Sequence, residues 1–127
     1  MSITQDSLSI SEVAEATGLT AHTLRYYERA GLMLHAVDRA SSQHRRYSGA
    51  DVAWVVFLTR LRSTSMPIAR MREYVQLVRL GDDTTEARRD LLLEHRITVA
   101  AQLETMTQSL AHIDYKIANY TMKVDGS

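Results

Sequence analysis

Two stretches decide the fold: Ser9-Ile10-Ser11-Glu12, and Thr20-Ala21-His22-Thr23-Leu24-Arg25-Tyr26-Tyr27-Glu28-Arg29. The first has the S-x-x-E spacing of a capping box, so a short helix is expected to start there and run to about Thr17. Gly18 supplies a turn and Thr20 caps the next helix. Leu24, Tyr27 and Ala30 then form its inward stripe before Gly31 ends it. Two short helices joined by a tight turn make a helix-turn-helix.

Outward from that pair, Leu34 to Tyr47 turns polar, with Asp38, Ser41 and Ser42, and closes on Arg45-Arg46-Tyr47; it reads as a hairpin, or wing. Ser48 with Asp51 is a second capping signal. It opens an apolar helix carrying Val52, Trp54, Val55, Val56, Phe57, Leu58 and Leu61. Pro67, with its fixed φ and missing donor, suits the first turn of a further helix that turns Ile68, Met71, Tyr74, Val75 and Val78 toward the core. Leu80-Gly81-Asp82-Asp83 ends it and marks the one candidate domain boundary.

Beyond the boundary Val99, Leu103, Met106, Leu110, Ile113, Ile117, Tyr120 and Val124 recur with alternating gaps of four and three, the spacing of a coiled-coil seam. From Thr85 to about Tyr120 such a helix is on the order of 50 Å long. Its stripe must be covered, either by folding back on its own domain or by a second copy, and pairing into a homodimer is the preferred reading. The expected class is therefore mainly α: a winged helix-turn-helix in residues 1–80, then a linker and a long dimerisation helix in residues 81–127.

The formal net charge is zero, but residues 1–80 hold ten arginines against seven acids, whereas residues 81–127 hold five basic residues against eight acids. The first part is the better partner for phosphate. Within it, polar and basic residues occupy the early turns of the second helix, where a helix in the major groove reaches base edges and arginine or tyrosine bonds phosphate. Thr20, His22, Thr23, Arg25 and Tyr26 are the candidates there, and Arg39, His44, Arg45, Arg46 and Tyr47 those of the wing. A solvated helix face with local ion pairs is the bland alternative for Arg25, Glu28 and Arg29. The basic wing next to it, with His35 and His44, favours double-stranded DNA.

Several function classes drop out. With no cysteine in 127 residues there is no disulfide framework, thiolate metal site or thiol switch within the sequence. His95 and His112 are seventeen residues apart, not at the i, i+4 spacing that would put two ligands on one helix face, so no metal site is expected. Gly18, Gly31, Gly49, Gly81 and Gly126 are scattered rather than gathered in a phosphate loop, and neither a nucleophile–base pair nor paired carboxylates stand out, so neither an enzyme nor a cofactor is expected. No apolar run is long enough to span a membrane, and MSITQDSLSI has no basic segment leading into an apolar one. The chain is expected in the cytoplasm.

Ile10-Ser11-Glu12-Val13-Ala14, Gly18-Leu19-Thr20 and Thr23 through Leu32, continued by Arg46-Tyr47, Asp51 and Met66-Pro67-Ile68, resemble the signature of MerR-type regulators over nearly the whole chain. The resemblance implies a homodimer on a near-palindromic promoter operator. It would distort the DNA so that RNA polymerase engages, activating while bound. It further implies that Arg25 and Tyr26 contact the phosphate backbone, with Arg45 or Arg46, and Arg39, doing so from the wing. Tyr47 would support the wing, and Leu24 and Tyr27 would pack inward.

Trp54–Leu61, Gly81–Arg88 and Leu93–Arg96 look most like the aldehyde- and electrophile-responsive, NmlR- and AdhR-like branch of stress-response regulators. Its reactive cysteine is replaced here, Arg60 standing at the corresponding place, so the thiol trigger does not carry over. A small-molecule effector is left without an identity. Tyr74, Tyr115, Tyr120, Met66, Met71 and Trp54 could line a noncovalent pocket, but an aromatic and methionine set at helical spacing is more often simple core, which is the preferred reading. A constitutive architectural DNA-binding protein stays as the alternative.

Overall fold

The computed structural model describes residues 7–34, 38–39 and 45–126. In chain order the elements are β1 (Leu8–Ser9), α1 (Ile10–Thr17), α2 (Ala21–Arg29), β2 (Asp38–Arg39), β3 (Arg45–Tyr47), α3 (Gly49–Ser63), α4 (Ile68–Leu80), a 3-10 turn (Asp82–Thr84) and α5 (Thr85–Gly126). They divide into two units, Met1–Arg88 and Arg89–Ser127.

The capping signals operate as expected. Ser9 Oγ accepts from the Glu12 N–H at 3.1 Å while Glu12 Oε1 accepts from the Ser9 N–H at 2.7 Å. Ser48 and Asp51 make the same reciprocal pair at 3.1 and 2.9 Å, starting α3. Each box satisfies two donors that a helix start otherwise leaves to water. Thr20 Oγ1 accepts from the Thr23 N–H at 3.0 Å, starting α2.

The wing is a three-stranded antiparallel sheet in the order β1-β3-β2, with Leu8 opposite Tyr47, Ser9 opposite Arg46, and Asp38 opposite Arg46. Strand β1 is an addition to the expected hairpin: it is two residues long, and Ser9 serves at once as its last residue and as the cap of α1. The sheet is thereby tied to the first helix without a linker.

The core of the first unit draws Val13 from α1, Leu24 and Tyr27 from α2, Tyr47 from β3, Val55, Leu58 and Leu61 from α3, and Met71 and Val75 from α4. Val56, grouped with the apolar helix by sequence, is 36% exposed. Met66 and Met71, weighed as pocket lining, are fully buried. Helix α5 extends to Gly126, past the expected end near Tyr120, because Thr121 to Asp125 contain neither proline nor glycine to stop it. Leu103, Met106, Leu110, Ile113, Ile117, Tyr120 and Val124 are each more than half exposed.

Helix α3 ends in a Schellman arrangement, the Met66 N–H bonding Leu61 O and the Ser65 N–H bonding Arg62 O, both at 3.0 Å. The left-handed position of that motif, φ 71°, is filled by Ser65 where glycine is the unstrained choice. Ser65→Gly should therefore stabilise the protein by about 0.5–1 kcal/mol, the relieved strain exceeding the added chain entropy. Chemical denaturation would show the shift, and an unchanged or lowered midpoint would mean that the turn carries no strain.

Candidate nucleic-acid interface

Helix α2 has nine residues, too few to persist alone in water, so its orientation is set by what its buried face touches. Leu24 and Tyr27 are 1% and 2% exposed, and the Tyr27 hydroxyl meets Thr59 Oγ1 of α3 at 2.9 Å. Thr59 in turn donates to Val55 O at 2.8 Å, so the Tyr27 hydroxyl is the donor of the pair. The opposite face carries His22, Arg25 and Arg29 exposed, with Thr23 and Tyr26 half-buried beside them. Thr20 is exposed at the helix start, where its hydroxyl donates to Thr23 Oγ1 at 3.0 Å.

In the wing, Arg39 and Arg45 are directly opposed across the β2–β3 ladder, and His44 lies outside the described residues. Arg46 is half-buried and turned back toward the start of the fold. Its Nη2 donates to Ser7 O at 2.8 Å and Ser7 Oγ at 3.2 Å. Tyr47 is 1% exposed and supports the wing from within. The sheet therefore brings Arg46 to the α1 start. The exposed side chains of α2 stand on a separate element anchored to α3.

Sequence reasoning missed the contacts that hold the chain between α2 and the wing. Trp54 Nε1 donates to Leu32 O at 2.8 Å, Arg72 Nε to Ala30 O at 3.1 Å, and Arg79 Nε to Leu34 O at 3.1 Å. The available signal was Arg72 and Arg79 seven residues apart, two turns along one face of α4. Trp54 also stacks on Tyr74, with centroids 5.9 Å apart and planes 11° from parallel. Burial raises the Tyr74 phenol above its ordinary pKa, against the opposing charge of Arg88. Arg60, at the place where the resemblance puts a thiol, lines a cavity of about 110 Å³ with Thr17, Leu19, Val56 and Thr59. Among the described residues no helix is long and apolar enough to cross a membrane.

Two short helices, the second with a polar outer face, and a small sheet packed on one core define the winged helix-turn-helix class. A family profile described as MerR HTH family regulatory protein matches residues 8–77. AdhR, an HTH-type transcriptional regulator of Bacillus subtilis, is 42% identical over 89 residues, which are 70% of this chain and 63% of that relative's length. The chain belongs to the MerR family of helix-turn-helix regulators. An uncharacterized HTH-type regulator of Haemophilus influenzae is 31% identical over 87% of this chain and 81% of its own. The crystal structure of HiNmlR, described as a MerR family regulator lacking the sensor domain and bound to promoter DNA, superposes with a TM-score of 0.82 at 31% identity, covering 95% of this chain and 96% of that one. A MerR family structure from Listeria monocytogenes gives 0.83 at 35% identity, covering 92% and 88%. Similarity to AdhR and HiNmlR agrees with the expected branch.

The start of the helix-turn-helix has a pH signature. The Glu12 carboxylate is held below its ordinary range first by the Ser9 N–H, then by the Ser9 side chain, with a smaller contribution from Arg46 and against slight desolvation. A depressed folded-state pKa stabilises above the unfolded value of about 4.3, and that stability disappears as pH falls through the folded value. Glu12→Gln keeps the acceptor oxygen and removes the charge. It should melt below wild type at neutral pH, and the gap should narrow progressively as pH falls below the unfolded value. A gap independent of pH would show that the charge contributes nothing to this cap.

Proposed function

We propose that this protein is a promoter-binding transcription regulator that acts on cytoplasmic DNA as a homodimer and works by distorting the DNA it occupies. The observation that carries the reading is the two-sided α2, with Leu24 and Tyr27 buried and His22 and Arg25 exposed on its first turns. A short helix pinned from behind, with polar side chains forward, is the geometry a major groove admits.

In this reading residues 1–80 are the DNA-binding domain. His22 and Thr23 face base edges, while Thr20, Arg25 and Tyr26 hold phosphates. Arg39, His44, Arg45 and Arg46 form the basic wing, with Tyr47 behind it. The Ser7 contacts of Arg46 give that residue a second task, locking β3 to the start of the helix-turn-helix. Residues 81–127 supply the linker and the pairing helix. The exposed seam from Leu103 to Val124 supports pairing, since an apolar stripe of that length is costly to leave in water. The promoter DNA in the HiNmlR structure supports the DNA-binding reading, and polymerase would respond through the altered promoter rather than through direct contact.

The absence of any cysteine favours a second reading, occupancy without a chemical trigger. Footprinting combined with in vitro transcription from the chain's own promoter, with and without aldehydes, quinones and cationic drugs, separates the two. A transcript that rises while the footprint persists marks a sensing regulator. Indifference to every compound marks a constitutive one, and no footprint at all removes both.

Arg25→Ala should weaken binding about equally for all DNA sequences and reduce the slope of log affinity against log salt by about 0.9, the effect of one lost phosphate contact. An unaltered slope would take Arg25 out of the interface. Leu110→Asp places a charge in the centre of the seam and should give monomers by sedimentation, with loss of full-operator binding. A monomeric variant that still holds the whole operator tightly would refute pairing as a requirement.

A further inference from the structure

Between the end of α2 and the wing, five consecutive carbonyls accept hydrogen bonds from side chains of α3 and α4. Arg72 Nε donates to Ala30 O at 3.1 Å, and Arg79 Nη2 to Gly31 O at 3.3 Å. Trp54 Nε1 donates to Leu32 O at 2.8 Å. Arg79 also reaches Met33 O through Nη2 and Leu34 O through Nε at 3.1 Å. Connecting segments ordinarily leave such carbonyls to water. Here one guanidinium takes three of them.

The amides of the same segment are occupied as well. The Ala30, Gly31 and Leu32 N–H groups bond Tyr26, Glu28 and Tyr27 carbonyls, closing α2 with Gly31 at φ 74°. Residues 30–32 are thus bonded on both sides, through their amides to α2 and through their carbonyls to α3 and α4. Arg72 and Arg79 are exposed, so they pay little desolvation to make these bonds, and the planar fork of arginine suits several acceptors at once. Neither residue stands among the candidates for DNA contact.

We infer that Arg79, assisted by Arg72, is a positioning residue for nucleic-acid recognition: its clasp on residues 30–34 fixes where the wing lies relative to α2. The inference rests on the DNA-binding reading above. Two elements that must meet one stretch of duplex together bind it well only if their separation is set beforehand, since otherwise binding bears the ordering cost. A clasp built on carbonyls acts through geometry and makes no phosphate contact of its own.

The test compares full-length wild type, Arg79→Ala and Arg79→Lys. Free in solution, Arg79→Ala should speed amide exchange at Gly31 and Leu32 by about tenfold, through local opening, while the core keeps its protection. On the operator its affinity should fall roughly tenfold with an unchanged salt slope. Hydroxyl-radical protection should fade under the wing and persist under α2. Lysine keeps the charge but cannot span three diverging carbonyls, so Arg79→Lys should behave like the alanine variant; it also carries the same readouts if Arg79→Ala does not fold. Full recovery by lysine, a smaller salt slope, or protection fading uniformly would each overturn the clasp, the first two in favour of a charge effect and the third in favour of general destabilisation. If wild type binds no DNA, the functional reading fails, and the exchange rates still decide whether the clasp holds residues 30–34.

Discussion

Helix α2 presents the candidate DNA-reading side chains, yet at nine residues it has too few internal hydrogen bonds to outweigh the entropy of forming it. Its existence therefore depends on burying Leu24 and Tyr27 against the first unit's core, and its rotation about its own axis on the Tyr27–Thr59 hydroxyl pair. Rotating the helix by one residue, about 100°, would carry Leu24 and Tyr27 out of the core and Arg25 and Glu28 toward it. Losing that apolar burial and desolvating two charged side chains makes the rotation costly. One apolar face thus decides which polar face looks outward.

The wing meets a different constraint. Strands of two and three residues cannot form a stable sheet alone, and this one borrows its stability from its neighbours. Tyr47 is sunk in the core, β1 runs directly into α1 through the shared Ser9, and Arg46 reaches Ser7. The central strand is held by the side chains of Tyr47 and Arg46 and the β1 edge by its continuity with α1, so the sheet keeps its inner end fixed despite having little ladder of its own.

Features written in local spacing were legible before any coordinates. Ser9 with Glu12, Ser48 with Asp51, and the Gly18 and Gly31 stops each involve residues within one turn of one another, and the heptad seam is a repeat along a single helix. The unread features couple distant parts of the chain. Strand β1 has no period to detect at two residues, and it exists because Leu8 finds Tyr47. The charge of Arg46 marks it as a candidate DNA contact but does not reveal that Ser7 lies within reach. The bonds of Arg72 and Arg79 are hidden in the sequence because their acceptors are backbone carbonyls, which every residue possesses. The αL position at Ser65 was missed for the converse reason: the conformation usually announces itself through glycine, and here it does not.

A chain of zero net charge is an unpromising polyanion binder by sum, and dividing it at residue 80 recovers an excess of arginine in the first part. In the structure, arginines of that first part differ in what their donors meet. Arg46, Arg72 and Arg79 spend donors on backbone or hydroxyl oxygen, holding loops and strand ends in place. Just past the division, Arg88 Nη2 does the same with Gly81 O at 2.7 Å. Arg25 and Arg29 project from the outward side of α2. A guanidinium bonded to neutral carbonyls keeps its full charge, so the first group still adds to the positive field that draws DNA in, though its bonds are used in shaping the surface. On the proposed DNA-binding reading, how rigidly the outward arginines of α2 are presented matters beside how many cations the chain carries.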